Sequence, residues 1–393
     1  MSQVLCRLYL EGCMKQQIER YLLQLGQPHL SYGIENLSVP ELEKFWDQLQ
    51  RYDLNLLEQQ RQLLASKGEE TTCEALPCQR FTPSGDSQCH AKGEELLRSR
   101  KVGCLILAGG QGTRLGFDGP KGAFPLIAGK SLFQIFCERI KLAGEDLPLC
   151  IMTSELNHEQ TVDFFQEHNS FGLESSQLFF FKQGMLPFLD DSGNWLLEKP
   201  GKIAEGPDGN GHALHLFYKT GLWKTWRESG IEYLNVIFVD NVLADPFDPE
   251  LIGFTESQGV DAVLKAVQRL KVDEKMGVLA EVNGKLKVIE YFELPSNASE
   301  YTLSSTGMFC LSMPFIESLC NEELPLHLSY KSATVLSEGS SVFSSVWKCE
   351  RLLFELLDYA KSSAALLCPR EKIYAPLKNA TGDHSPEVIR AIF

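Results

Sequence analysis

Residues 105–122 read LILAGGQGTRLGFDGPKG, a short apolar run followed by closely spaced glycines with one arginine and one lysine among them. Glycine opens backbone angles closed to other residues, and without a side chain its N–H groups can come close to a phosphate or a base. Arg114 and Lys121 add a forked guanidinium and a mobile ammonium, suited to an anionic ligand such as a triphosphate whose charge moves in a transition state. Two better-known phosphate loops are excluded. Walker A needs Ser or Thr after its Gly-Lys pair, whereas Lys121 follows Pro120 and precedes Gly122. The dinucleotide pattern G-x-G-x-x-G is approached at Gly110 and Gly112, but Gly116 comes one position late.

Other positions carry weaker signals. Asp240 ends the apolar run 236–239; a carboxylate there is a natural oxygen ligand for Mg²⁺ and is equally at home opening a turn. Gln183 reads as a turn residue, and the string PDGNG at 207–211 as a turn and helix start. Glu290 lies in an alternating run, where a carboxylate ordinarily marks the solvated face. Cys73, Cys78, Cys89 and His90 share one stretch but fit no familiar zinc spacing. No histidine or cysteine stands out as a base or nucleophile.

The elements that must position these groups follow from periodicity. Apolar runs at 102–108, 149–152, 178–181, 234–239 and 262–266 predict short buried strands, and 131–143 and 211–227 predict helices. Their alternation predicts an α/β fold, a mostly parallel sheet covered on both faces. Asn283-Gly284 between two alternating runs predicts a hairpin, which makes the sheet mixed. The run 346–367 predicts a late amphipathic helix. Residues 1–95 are expected to form an N-terminal helical segment and linker, with a helix start at Ser38–Glu41 and a structureless stretch from Gly68; residues 96–393 are expected to form the catalytic domain. A balance of 37 basic against 52 acidic residues argues against nucleic-acid partners and anionic membrane surfaces. No apolar run is long enough to span a bilayer, and charges at Arg7 and Glu11 interrupt any signal-peptide pattern. A cytoplasmic protein with reduced, buried cysteines at 104, 137, 150 and 310 is expected.

LAGGQGTRLG…PKG resembles the signature of the nucleotide-sugar pyrophosphorylases, in wording nearest the UDP-N-acetylhexosamine members. The likeness continues through QGMLPFLD at 183, PDGNGHALHLF at 207, VDNVLADPFDPELIGF at 239, VIEYFEL at 288, WKCERLLFELLDYAK at 347 and APLKNATGDHSPEVIR at 375. It implies a Rossmann-like, GT-A-like nucleotidyltransferase fold and a uridylyltransferase that joins UTP to a sugar 1-phosphate, with N-acetylglucosamine 1-phosphate as the first expectation. Glucose 1-phosphate, another hexose phosphate, or a non-catalytic nucleotide-sugar-binding regulator are the alternatives. By the resemblance, Leu107, Gly109 and Gly110 meet the nucleotide through backbone, Gln183 and Gly209 read the uracil, and Asp240 holds Mg²⁺. Arg114, Lys121 and Lys378 act on the phosphates, with Lys348 a further phosphate lysine. Asn210, Gly277 and Glu290 meet the sugar. Where the family has an asparagine-rich NAGN segment at the sugar, this chain has LSSTG at 303–307, so Ser305 and Thr306 take that place and the sugar stays open. The family's small C-terminal domain is expected to be absent, since the chain runs 15 residues past Lys378.

Overall fold

Strand β1 (Val102–Leu107) carries no charge and is buried along its whole length. Strands hydrogen-bond it on both sides, and it is the strand that delivers the glycine loop. The computed structural model describes residues 2–67, 75–291, 293–294 and 297–393, with side chains from Glu11 onward. The chain forms two compact units: Met1–Thr71 with Met185–Gly209 and Pro325–Leu352, and Thr72–Gly184 with Asn210–Leu324 and Leu353–Phe393.

The second unit is built on one sheet. After β1 come β2 (Leu149–Thr153), β3 (Leu178–Lys182), β4 (Tyr233–Phe238), β5 (Ala262–Gln268), β6 (Val278–Val282), β7 (Lys285–Ile289), β8 (Leu303–Ser312) and β9 (Ser363–Leu367). Across the sheet the order is Thr82–Pro83, β9, β5, β8, β4, β1, β2, β3, while the β6–β7 hairpin attaches beside β8. β4, β1, β2 and β3 run parallel, as do β5 and β9. β8 runs antiparallel to both its neighbours. The expected mixed, mostly parallel sheet with helices on its faces is therefore present. Successive β1 residues enter opposite cores: Cys104 and Ile106 pack with Phe133, Phe136 and Ile140, and Leu105 and Leu107 pack with Phe217 and Trp226. Such alternation is what a sheet covered on both faces requires. Cys104, Cys137, Cys150 and Cys310 are buried and unbonded to one another.

The first unit gathers helices Ser2–Gln24, Val39–Leu49 and Leu54–Ala65 with a long hairpin, Leu326–Ser337 paired to Ser340–Arg351. The capping box opening Val39–Leu49 forms as expected, with Glu41 accepting from the Ser38 N–H at 2.9 Å. Trp195 is fully buried in this unit's core, and its indole N–H donates to the Gln60 amide at 2.7 Å.

Three expected elements are corrected. Residues 346–367 are not one helix: strand Ser340–Arg351, a 3-10 segment Leu353–Asp358 and β9 share them. The helix-like spacing there is overridden by cross-strand pairing: 346–351 pair with 326–331 as the end of a hairpin twelve positions long. The helix predicted over 211–227 breaks into Ala213–Lys219 and Leu222–Glu228 at Gly221, whose φ of 82° caps the first and starts the second. The supposed structureless stretch contains helix Ser87–Arg98, which runs across position 95 and is capped by Asp86 accepting from the Gln88 N–H at 2.8 Å. Residues 68–74, Cys73 included, lie outside the described residues. Among the described residues, no helix is long and apolar enough to cross a membrane.

Helices Ser87–Arg98 and Pro249–Gln258 meet backbone to backbone. A methyl group on Gly93 would lie 1.8 Å from the Pro249 carbonyl oxygen, and one on Gly253 would lie 1.8 Å from that of Cys89. Gly253→Val is expected to cost about 3 kcal/mol or more, because rigid backbone has to move apart. Thermal unfolding checks it: the midpoint should fall by several degrees, whereas Gly12→Ala, with nothing within 4 Å of its added methyl, should leave it level or slightly raised.

Candidate functional site

In an open α/β sheet, the carboxyl ends of parallel strands are where ligands bind. Here β1, β2, β3 and β4 end side by side. The chain leaves β1 through Ala108, whose N–H donates to the Met152 carbonyl at 2.8 Å, and Val239 donates to Leu107 at 3.1 Å. The glycine loop then closes on itself. Gly112 N–H reaches the Gly119 carbonyl at 2.9 Å and Lys121 N–H reaches that of Gly110 at 3.1 Å. Gly116, at φ 68°, turns the chain between these ties. Arg114 is exposed and Lys121 half-buried. Among the described residues neither forms an ion pair with a carboxylate.

Gln183 meets this loop directly. A methyl group built on Gly109 would lie 2.2 Å from the Gln183 side-chain oxygen, so a side chain there would push the amide aside. Gln183 is itself fixed by its N–H, which donates to the Thr153 carbonyl at 2.8 Å. Leu107, Gly109, Gly110 and Gln183, which the sequence assigned to one ligand, are thus neighbours.

Asp240 follows β4 and is half-buried. Its carbonyl accepts from Leu377 N–H at 2.8 Å, which places Lys378 one residue further along beside it. Asn241 clamps the same segment: its amide donates to the Ile373 carbonyl at 2.8 Å and accepts from Ala375 N–H at 2.9 Å. Lys378 forms no ion pair among the described residues. Tyr374 belongs to this neighbourhood although the sequence did not single it out. Burial first and the Asp240 carboxylate second push its phenol well above the usual range; Arg370 opposes this, and Glu274 and Glu290 add to it.

Gly277, Glu290 and Ser305 also come together. Ser305 N–H donates to the Gly277 carbonyl at 2.9 Å. A methyl on Gly277 would lie 2.7 Å from Val288 and 3.9 Å from the Glu290 Oε1. Thr306 does not join them. It is buried, and its hydroxyl donates inward to the Lys265 carbonyl at 2.7 Å. Neighbouring strand residues face opposite sides, so Ser305 keeps the open side and Thr306 the core. Asn210 uses its side-chain oxygen to accept from Leu353 N–H at 2.7 Å.

Gly209 and Lys348 belong to the first unit. Gly209 has φ 90° and bridges Arg351, whose carbonyl oxygen a methyl would approach to 2.2 Å. Lys348 lies on strand Ser340–Arg351, not on the helix expected there. It is buried and bonded to Glu350, which also takes Lys331 at 2.8 Å. Burial pushes the Lys348 ammonium down, with Glu350 pulling it back. Among the described residues, no three of His, Cys, Asp and Glu cluster as a metal cage. Cys89 instead bonds Asp86 at 3.4 Å and Cys78 the Arg80 carbonyl at 3.4 Å.

The chain is similar to known proteins. The family model described as UTP--glucose-1-phosphate uridylyltransferase matches residues 45–382. The chain is 33% identical over 329 residues to the Homo sapiens UDP-N-acetylhexosamine pyrophosphorylase-like protein 1, covering 77% of this chain and 65% of that protein's length. It is 29% identical over 424 residues to the Saccharomyces cerevisiae UDP-N-acetylglucosamine pyrophosphorylase, covering 95% and 88%. The crystal structure of the Trypanosoma brucei uridine diphosphate N-acetylglucosamine pyrophosphorylase in complex with inhibitor superposes with a TM-score of 0.82 at 25% identity, over 96% of this chain and 84% of that one. Since the family model spans well over half of the chain and takes in the glycine loop, Asp240 and Lys378 alike, the chain belongs to the UTP--glucose-1-phosphate uridylyltransferase family.

Proposed function

We propose that this protein is a cytoplasmic uridylyltransferase that converts UTP and N-acetylglucosamine 1-phosphate to the UDP-sugar and pyrophosphate. The observation that carries the reading is the meeting, at one sheet edge, of a cationic glycine loop, a base-reading amide on Gly109 and an acidic strand end. The relatives named for N-acetylated sugars, matched along most of the chain, support the choice of sugar. A second reading replaces the acetamido sugar with a plain hexose phosphate such as glucose 1-phosphate. Ser305 in place of an amide at 303–307, and the description of the family model, favour it.

The chemistry asks little of acid–base groups. An oxygen of the sugar phosphate, already ionised at neutral pH, attacks the α-phosphorus of UTP; the bond to the bridging oxygen breaks and pyrophosphate leaves in line. Catalysis then consists of positioning and charge stabilisation. Gly109 and Gly110 offer backbone to the nucleotide, and Gln183 offers a donor and an acceptor to the uracil edge. Arg114 and Lys121 take up the charge growing on pyrophosphate, and Lys378 holds phosphate oxygens. Asn210, Gly277, Glu290 and Ser305 orient the sugar. Asp240 fits a Mg²⁺ site of the kind that uses one protein carboxylate and fills its remaining positions from phosphates and water: it is half-buried, an oxygen donor, and without an ion-pair partner among the described residues. When bound there, Mg²⁺ supplies neutralising charge between two anionic reactants.

Pyrophosphate release from UTP, Mg²⁺ and a panel of sugar 1-phosphates tests the reading. Turnover is expected to be highest with N-acetylglucosamine 1-phosphate; a higher rate with glucose 1-phosphate selects the second reading, and uridine-nucleotide binding without release on any sugar overturns both. Arg114→Ala should lower kcat roughly a hundredfold, and undiminished turnover removes Arg114 from the mechanism. Gly109→Ala should displace the Gln183 side chain and raise KM for UTP, whereas Gly110→Ala, with open space around its methyl, should leave the Gln183 rotamer in place; a crystal structure of each variant reads this out.

A further inference from the structure

The turn between β2 and helix His158–Glu167 carries a buried amide that does not cap its own helix. Asn157 stands at the N-cap position, where asparagine ordinarily accepts from the first N–H groups of the helix, yet it makes no such bond. It is 1% exposed. Its oxygen accepts from the N–H and hydroxyl of Ser154, at 2.8 and 3.1 Å. Its nitrogen donates to two carbonyls 47 and 49 residues earlier in the chain, Ala108 at 2.9 Å and Gly110 at 3.2 Å. Every hydrogen-bonding position of the amide is filled.

Those two carbonyls flank Gly109. Held back toward Asn157, they leave the N–H groups of Gly109, Gly110 and Gln111 without a partner among the described residues, turned from the tied side of the loop. The Gly110 carbonyl also accepts the Lys121 N–H at 3.1 Å, so one amide reaches both the backbone cradle and the anchor of a loop cation. The same turn fixes the opposite wall. The Thr153 carbonyl takes Gln183 N–H at 2.8 Å, the Thr153 hydroxyl meets the Phe181 carbonyl at 3.1 Å, and Gln111 donates to the Leu156 carbonyl at 2.8 Å. A methyl group on Gly109 would displace the Gln183 amide from its present place. The spacing of the two residues is therefore set by the 153–157 bracket rather than by either residue alone.

We infer that Asn157 is a nucleotide-positioning residue: through its paired bonds to Ala108 and Gly110 it sets the conformation in which the glycine loop receives the nucleotide. It touches no reacting atom, and its action runs entirely through the loop backbone. Aspartate is the discriminating substitution. It keeps the size and the Ser154 bonds of asparagine but turns lone pairs toward two carbonyls, until a proton restores one donor. The inference rests on the uridylyl-transfer reading above.

The test measures steady-state KM for UTP and for the sugar 1-phosphate, with UTP binding by calorimetry, on wild type, Asn157→Ala, Asn157→Asp and Ser154→Ala. Ser154→Ala removes only one of the bonds orienting the amide, and it serves where the larger changes fail to fold. KM and Kd for UTP are expected to rise about tenfold or more in both Asn157 variants and less in Ser154→Ala, with KM for the sugar phosphate changing under twofold. The ratio of Asn157→Asp to wild-type UTP affinity should recover as pH falls, because the protonated acid donates to one carbonyl again; a merely structural defect has no reason to recover. Folded variants whose UTP constants stay within twofold of wild type, or whose two KM values rise together, overturn the inference while leaving the enzyme reading intact. A wild type that binds no UTP overturns the enzyme reading and takes this inference with it.

Discussion

Everything at the site depends on β1 being locked in the middle of the second unit's sheet. It pairs in parallel with β4 along six residues and with β2 along four. Both faces are covered, closely enough that Trp226 lies within 2.2 Å of where a methyl on Gly103 would stand. A strand so enclosed cannot slide or tilt without breaking ladders on both sides. The point at which the chain emerges, Ala108–Gly109, is accordingly one of the most constrained places in the fold. A glycine-rich loop with no such root would be a flexible tether. Rooted here, it becomes a cradle of defined shape, the state in which charge and backbone dipoles act without first having to reorganise.

The parallel strands around β1 extend that constraint to other groups. β4 ends beside it and presents Asp240; β2 ends beside it and presents the 153–157 turn; β3, one strand further, leads into Gln183. Each group leaves its strand at the same edge because parallel pairing puts all carboxyl ends on one side. The β6–β7 hairpin and β8 bring Gly277, Glu290 and Ser305 together by antiparallel register, Val278 lying opposite both Ile289 and Ser304. The sheet's mixed character thus divides labour in the proposed site: its parallel part carries the groups proposed for nucleotide and metal, and its antiparallel insertion carries those proposed for the sugar.

Much of this was legible in the residues. Apolar runs of four to seven residues marked β1, β2, β3, β4 and β5, and Asn283-Gly284 marked its hairpin, with both residues at the positive φ such a turn requires, 51° and 76°. What escaped was whatever depended on distant partners. The run 346–351 looks helical by spacing, and only the pairing of 326–337 makes it a strand. Thr306 was grouped with Ser305 as a neighbour in sequence, although strand alternation sends one of any adjacent pair inward. Asn157 carries the ordinary signature of a helix cap, and nothing near it in sequence reports that its amide bonds a loop 47 residues away. Tyr374 sits four residues before Lys378 and reaches Asp240 only because Asn241 clamps the segment between them.

Charge placement gives the site its direction. The chain is acidic, with 52 carboxylates to 37 basic residues, so an average cation has counter-charges within reach. In the second unit several cations are so paired: Lys101 with Glu232, Lys130 with Glu138, Lys182 with Glu155, Arg370 with Glu274 and the buried Lys265 with Asp248. Arg114, Lys121 and Lys378 form no ion pair among the described residues, and all three belong to segments at the carboxyl edge of the parallel strands. Pairing them with carboxylates would add little stability at exposed positions, and it would cancel the field an incoming polyphosphate meets. A net charge of −15 also disfavours long polyanions, whose charge extends far beyond the loop, while a single nucleotide presents its charge only where the cations stand. The net charge and the local charge therefore select together for a small, compact anion.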